Sequence, residues 1–185
     1  MKDFSLFAKA LEVTDTSQSD LGTIASISRR DFASRESFLF RAQAPCIEYS
    51  CLMIENALLL STNRTTRIYA GVEKLSCLQP VVDRYLRIAD VSASVYVFGE
   101  ADWEPPSHPN IRTVELTAEQ TLAREWFLIA ESTTFHAALV ARDEDGFGNV
   151  KPDERTFTAF KSSDPKVVGQ LASVAEGLID WSFAA

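Results

Sequence analysis

Hydrophobic residues recur at helical spacing in four segments of the chain. Near the start, four apolar side chains on one face predict a short docking helix over residues 3–12: Phe4, Phe7, Ala8 and Leu11. Two longer segments, 45–61 and 76–90, follow the same spacing, and Pro45 and Pro80 fit their first turns. A closing helix begins at Asp164 and Pro165. Helices of this kind cover a core with their apolar side.

Other segments have the alternating or β-branched pattern of strands. They cover residues 23–28, 67–74, 92–100, 111–116 and 155–162. Residues 31–44 fit either a strand or a helix, and a short helix is predicted from Thr117 to about Glu125. Polar, proline-rich or acidic stretches predict connecting loops at 14–20, 101–110 and 143–154.

The order of these elements predicts the fold class. Strands and helices alternate in the middle of the chain, which favours a βαβ core with parallel pairing. The later strands follow one another closely and favour antiparallel pairing. We therefore expect an α/β (α+β) fold, a mixed β-sheet with a βαβ core and antiparallel C-terminal strands, covered by helices. The sequence contains no internal repeat, low-complexity tract or convincing domain boundary, so residues 1–185 are predicted to form a single domain.

The pattern of residues 124–142, REWFLIAESTTFHAALVAR, predicts a β-hairpin. Two apolar runs flank a short polar turn. Alternation places Trp126 and Leu128 on one face of the first strand, and Phe127 and Ile129 on the other. Because both faces are apolar, this strand is predicted to be central and covered on each side.

The second run of the hairpin holds His136, one of two histidines in the chain. The small neighbours Ala137 and Ala138 leave room beside a Trp or Phe, which either a packed helix or a ligand could fill. A structural, hydrogen-bonded histidine is the commoner case, and a ligand contact is the alternative. The candidate ligand-binding residues are Arg124, Trp126 and His136.

Charge and cysteine content narrow the possible partners and compartment. A net charge of −8 disfavours direct binding to nucleic acid or to an anionic membrane surface. No apolar run approaches the length of a membrane span, and the first residues lack the pattern of a signal peptide. The three cysteines form no CxxC pair, as is typical of free thiols in a reducing compartment. We expect a cytoplasmic protein.

The sequence lacks the usual motifs of catalytic and cofactor sites. Its single G-x-G, at residues 146–148, lies in an acidic loop rather than between a strand and a helix. No G-x-S-x-G nucleophile motif occurs, and His108 and His136 have no neighbouring metal ligands. The acidic run 143–145 lacks the positions of a calcium-binding EF-hand loop. We therefore expect no cofactor, no metal and no catalytic activity.

The 124–142 hairpin, together with the upstream segments RIYAGVEK and VYVFGEAD, resembles the DICT sensory domain, named for diguanylate cyclases and two-component systems. The shared pattern falls on Arg124, Glu125, Trp126, Phe127, Phe135, Ala137, Leu139, Ala141 and Arg142. In element order the resemblance covers most of the chain. It implies a cytoplasmic, non-catalytic input domain of bacterial signalling, and the family has been associated with light responses. It implies no particular ligand.

We therefore expect a sensory or regulatory module that acts by ligand or partner binding and conformational coupling. The expected partner is a signalling output protein or domain, such as a diguanylate cyclase, histidine kinase or transcription regulator, or a second copy in a homodimer. One alternative is an interaction adaptor without a small ligand, and another is a small enzyme of unrecognised type. No output domain fits in the chain, so it is expected to act through a partner or to be one domain of a longer protein.

Overall fold

A computed structural model describes residues 3–14, 19–61, 64–146 and 150–184, with side chains as far as residue 180. The loop predicted at 14–20 and the G-x-G at 146–148 therefore lie partly outside the described residues. The α-helices are α1 (Leu6–Val13), α2 (Arg29–Ser34), α3 (Ala44–Leu60), α4 (Val82–Asp90) and α5 (Pro165–Ala184). The strands are β1 (Ser19–Thr23), β2 (Ser37–Gln43), β3 (Arg67–Lys74), β4 (Ser94–Glu100), β5 (Ile111–Glu115), β6 (Glu125–Glu131), β7 (His136–Asp143) and β8 (Thr156–Ser162).

All eight strands join one mixed sheet in the order β1-β2-β8-β7-β6-β3-β4-β5. Strands β3, β4 and β5 are parallel, and α4 connects β3 to β4. Strands β3, β6, β7, β8 and β2 pair antiparallel in turn, while β1 runs parallel to β2 at the edge. This topology confirms the predicted fold class, a βαβ core with an antiparallel extension.

Helices cover both faces of the sheet. We call the face under α2, α3 and α4 the α3 face, and the face under α1 and α5 the α5 face. Strand β6 alternates between the two, with Leu128 and Ala130 in the core of the α3 face and Phe127 and Ile129 in the core of the α5 face. The prediction of a central strand, covered on each side, is confirmed.

Polar side chains and prolines mark the helix starts. The Ser5 and Ser28 hydroxyls accept hydrogen bonds from the backbone N–H three residues later, at 2.9 and 3.0 Å. Pro45 lies in the first turn of α3, where its missing N–H leaves no helical bond unmade. Before α5, the Asp164 carboxylate accepts from the Lys166 N–H at 2.8 Å. No helix among the described residues is both long and apolar enough to cross a membrane.

Three local predictions were wrong in position. The strand expected at 23–28 is β1, which ends at Thr23 after a break in pairing at Gly22, and Ser28 caps α2 instead. The helix expected over 76–90 begins as a 3₁₀ helix, Leu75–Val81, that contains Pro80. The helix expected from Thr117 is only the 3₁₀ turn Thr121–Arg124. Here the Gln120 side chain accepts from the Thr117 N–H at 3.0 Å and forms a local turn.

Candidate functional site

A cavity of about 670 Å³ opens on the α3 face. Its wall comes from the first three turns of α3, the 3₁₀ helix at 75–81 with the start of α4, and the segment 152–157. The remaining wall lies at the carboxyl end of β3 and the start of β6. The carboxyl end of a parallel strand is where open α/β sheets commonly bind ligands. The volume suits a small organic molecule.

Aromatic side chains line much of the cavity. Trp126 and Phe157 meet edge to face, with ring centroids 5.9 Å apart and an interplanar angle of 78°. Tyr85 is buried, whereas Tyr49 is 44% exposed. Of these rings, Trp126 and Tyr49 are partly exposed at the cavity.

An ion pair between a partly exposed arginine and a buried carboxylate lies on one side of the cavity. The Arg84 guanidinium donates to the Glu55 carboxylate at 3.0 Å, and that carboxylate is only 7% exposed. Burial raises the pKa of Tyr85 well above its usual range, and the adjacent Glu55 carboxylate raises it further. Burial and the same carboxylate raise the pKa of Cys51. This wall therefore holds a fixed ion pair, a neutral phenol and an unreactive thiol.

A second cluster ties the segment 152–157 to the sheet. The Arg155 guanidinium donates to Glu73 at 2.8 Å and to Asp143 at 2.5 Å. It also lies over the Phe157 ring, 5.5 Å from the centroid. Arg155 thereby connects the ends of β3, β7 and β8 beside the cavity.

Two acidic side chains, Glu48 and Asp153, are exposed on the cavity wall and mark its mouth. Burial, followed by the negative charge of Asp153, raises the pKa of Glu48. Within residues 3–14, 19–61, 64–146 and 150–184, neither carboxylate forms an ion pair, and no group of three potential ligand side chains is arranged to hold a metal ion.

The structure brings together two of the three candidate ligand-binding residues. Arg124 and Trp126 line the cavity, with Arg124 exposed to solvent. His136 is half-buried at the opposite end of the hairpin, where it pairs with Glu131 across β6 and β7, and it is not part of the cavity wall. The hairpin therefore contributes its open end to the cavity and keeps its turn away from it.

Sequence reasoning missed the charged residues of the wall, including Glu55, Arg84 and Arg155. Glu55 had a usable signal, because it follows Cys51 by four residues and so lies on the buried face of α3. A charged residue on such a face needs a partner. Its partner Arg84 is 29 residues away, and nothing in the local pattern identifies it.

Within the Arg-Glu-Trp-Phe motif, Glu125 forms hydrogen bonds with the start of α1 on the α5 face. The Glu125 carboxylate accepts from the Leu6 N–H at 2.8 Å, from the Phe7 N–H at 3.2 Å and from the Ser5 hydroxyl. Burial raises the pKa of Glu125, and these donors partly offset that rise. The Arg142 guanidinium, paired with Glu125 across the hairpin, lies 5.1 Å from the Phe7 ring centroid. Glu125 thus holds the start of α1, one residue from Trp126 in the cavity.

The model of one protein family matches residues 50–144 of this chain: DICT, the sensory domain in diguanylate cyclases and two-component systems. The matched range contains most of α3 and all of β3 to β7. No curated protein matches the chain.

Three solved structures can be aligned with most of this chain. Polyphosphate kinase from Porphyromonas gingivalis superposes with a TM-score of 0.52 at 10% identity, covering 82% of this chain and 29% of the kinase. Nuc, a phospholipase D family member from Salmonella typhimurium, has a TM-score of 0.43 at 8% identity and covers 78% and 95% of the two chains. TrmBL2, an archaeal chromatin protein, has a TM-score of 0.44 at 10% identity and covers 95% and 58%. This chain thus spans less than a third of the kinase, and that likeness concerns the fold alone.

Proposed function

Because this chain belongs to the DICT family of sensory domains, we propose that it senses a small organic ligand in the cavity on the α3 face and acts without catalysis. The observation that carries the proposal is the cavity itself, about 670 Å³ with an aromatic pair and ion pairs in its wall. A concave, mostly apolar space with a few placed polar groups is the usual form of a small-molecule site.

The structure supports a route from this cavity to the terminal helices. Trp126 lines the cavity. The residue before it in β6, Glu125, accepts hydrogen bonds from the first backbone amides of α1. A ligand that moves the start of β6 changes the position of the Glu125 carboxylate, and with it the docking of α1. The shift can be no larger than the difference in ligand affinity between the two arrangements.

We propose that the α1–α5 side passes this change to a signalling output protein or domain in the cytoplasm. The proposed partner is a diguanylate cyclase, a histidine kinase, a transcription regulator or a second copy of the chain. A partner that contacts α1 in only one of its arrangements would couple output to ligand occupancy.

The proposal is tested by filling the cavity. Cys77 lines the cavity with an exposed side chain, so Cys77→Phe adds bulk there without disturbing the core. Gln79→Phe adds the same bulk on the same 3₁₀ helix but outside the wall, and is the matched control. A panel of small aromatic compounds is screened by thermal shift, since a ligand at a hundred times its Kd stabilises by about 2.7 kcal/mol.

We expect compounds that stabilise the parent protein and the Gln79→Phe variant, but not the Cys77→Phe variant. Hydrogen exchange at the amides of α1 should change when such a compound is added, and a Glu125→Ala variant should lose that response. Binding that survives in Cys77→Phe, or a panel without any stabilising compound, would contradict the proposal and favour an adaptor that binds proteins only.

A further inference from the structure

The charges on the cavity wall do not balance. Arg84 is matched by the Glu55 carboxylate at 3.0 Å. Arg155 is shared between two carboxylates, Glu73 at 2.8 Å and Asp143 at 2.5 Å. Protein carboxylates thus already neutralise Arg84 and Arg155, and an anionic ligand would have to displace the carboxylates from these two arginines. The third arginine of the wall, Arg124, is exposed to solvent.

Glu48 and Asp153 add two negative charges at the mouth, and neither forms an ion pair among the side chains that the structure describes. They come from separate elements, α3 and the short 3₁₀ helix Pro152–Glu154. The two charges are close enough that Asp153 raises the pKa of Glu48. A positive group placed between them would relieve this repulsion.

The aromatic wall favours the same kind of ligand independently of these carboxylates. Trp126 lines the cavity and is only half-buried, and aromatic ring faces attract cations through their quadrupole. Phe157 also lines the cavity but is 4% exposed. The protein already uses one of these rings in this way, since the Arg155 guanidinium lies 5.5 Å from the Phe157 centroid.

We propose that the cavity binds an organic cation, with its ammonium group held between Glu48 and Asp153 and its apolar or aromatic body against Trp126. The inference rests on the proposed function of the cavity and adds the chemical class of the ligand. The exposed Arg124 at the cavity would instead help to hold an anion, and the experiment below distinguishes the two.

Three probes of similar shape and different charge provide the test: 2-phenylethylammonium, 2-phenylethanol and 3-phenylpropionate, each titrated by calorimetry at low ionic strength. We expect the ammonium compound to bind about threefold to tenfold more tightly than the alcohol, because two exposed ion pairs contribute this much. The carboxylate should bind most weakly. The double variant Glu48→Gln with Asp153→Asn should remove the preference for the ammonium compound and leave the affinity for the alcohol unchanged.

Glu154→Gln is the matched control, because it removes a neighbouring acid that pairs with Lys151 at 3.6 Å and does not line the cavity. An equal loss in Glu154→Gln would mean general attraction to an acidic protein and would overturn the inference. Tightest binding of 3-phenylpropionate would overturn it too, while leaving the cavity as a ligand site. Absence of binding by all three probes also overturns it, and the wider aromatic panel then decides separately whether the proposed function stands.

Discussion

The two faces of the sheet are built in opposite ways, although the same strands supply both. On the α5 face the packing is closed: a Cβ atom added at Gly71 would lie 2.0 Å from the Phe127 ring. Phe127 is 1% exposed and stacks at an angle on Phe98, with centroids 5.5 Å apart. On the α3 face, beside Trp126, the same strand borders an open cavity with ion pairs in its wall.

The difference shows how one strand can carry stability and binding together. Successive side chains of β6 point to opposite faces, so Phe127 contributes to the closed core while Trp126 remains available at the cavity. Glu125 then fastens α1 on the closed side. Substitutions on the α5 face should therefore lower the stability of the protein, whereas substitutions on the α3 face should weaken ligand binding.

The largest effect is expected from truncating the two neighbouring aromatic residues in turn. Phe127→Ala should lower the free energy of unfolding by about 3–5 kcal/mol, because it leaves a cavity in a fully packed core. Trp126→Ala should cost only about 1–2 kcal/mol, because its side chain is half-buried beside existing space. Urea denaturation of both variants measures the difference. Equal losses would show that the two faces are packed alike.

The next effect concerns a buried charge at the far end of the α3 face. Lys161 is 3% exposed; its ammonium donates to the Arg35 carbonyl at 2.5 Å and lies 5.2 Å from the Phe32 ring centroid. Burial lowers its pKa from 10.5 to about 8. Between these values the unfolded chain binds more protons than the folded one, so stability should rise with pH from about 8 to 10.5.

This lowering of the Lys161 pKa corresponds to a rise of about 3 kcal/mol in the free energy of unfolding. Lys161→Met cannot titrate and should lack this rise, so the difference in unfolding free energy between the parent protein and the variant, measured from pH 7 to 10.5, isolates the lysine. A difference that stays constant across this window would mean that the ammonium is not destabilised by burial.

A smaller effect is expected where α1 is held against the sheet. Glu125→Ala removes the acceptor of the Leu6 and Phe7 amides and of the Ser5 hydroxyl, and should cost about 2 kcal/mol. Hydrogen exchange should become faster in α1 and stay unchanged in α3. Glu131→Ala, at the other end of the same strand, is the control and should leave exchange in α1 unaltered. Uniform acceleration in both helices would indicate general destabilisation instead.

The smallest effect is expected at the charged edge of the α5 face. Arg67 donates to Glu176 of α5 at 2.7 and 2.9 Å and to Glu131 at 3.1 Å, but its side chain is 42% exposed. Solvent screens such pairs, so Arg67→Met should cost about 0.5–1 kcal/mol. The cost should shrink further in 0.5 M salt, about three times the physiological ionic strength. A larger, salt-independent loss would show that this network belongs to the core.

Sequence patterns predicted most of the fold because they report local periodicity. The strand predicted at 67–74 has the bounds of β3, and alternation correctly divides Trp126, Phe127, Leu128 and Ile129 between two faces. The strand predicted at 23–28 failed because a β-branched pattern says nothing about the serine at 28, which caps a helix. Of the three candidate ligand-binding residues, Arg124 and Trp126 line the cavity and His136 does not, because spacing does not tell which end of a hairpin borders a cavity.

The sequence by itself determined which side chains share a face, because the periods of helix and strand are properties of the local chain. It also determined the family, through the hairpin of β6 and β7. Only the tertiary structure decided that Arg155 meets Glu73, 82 residues away, and that Glu48 and Asp153 share one cavity mouth. Such contacts depend on the order of strands in the sheet, and that order is settled by the packing of the whole chain.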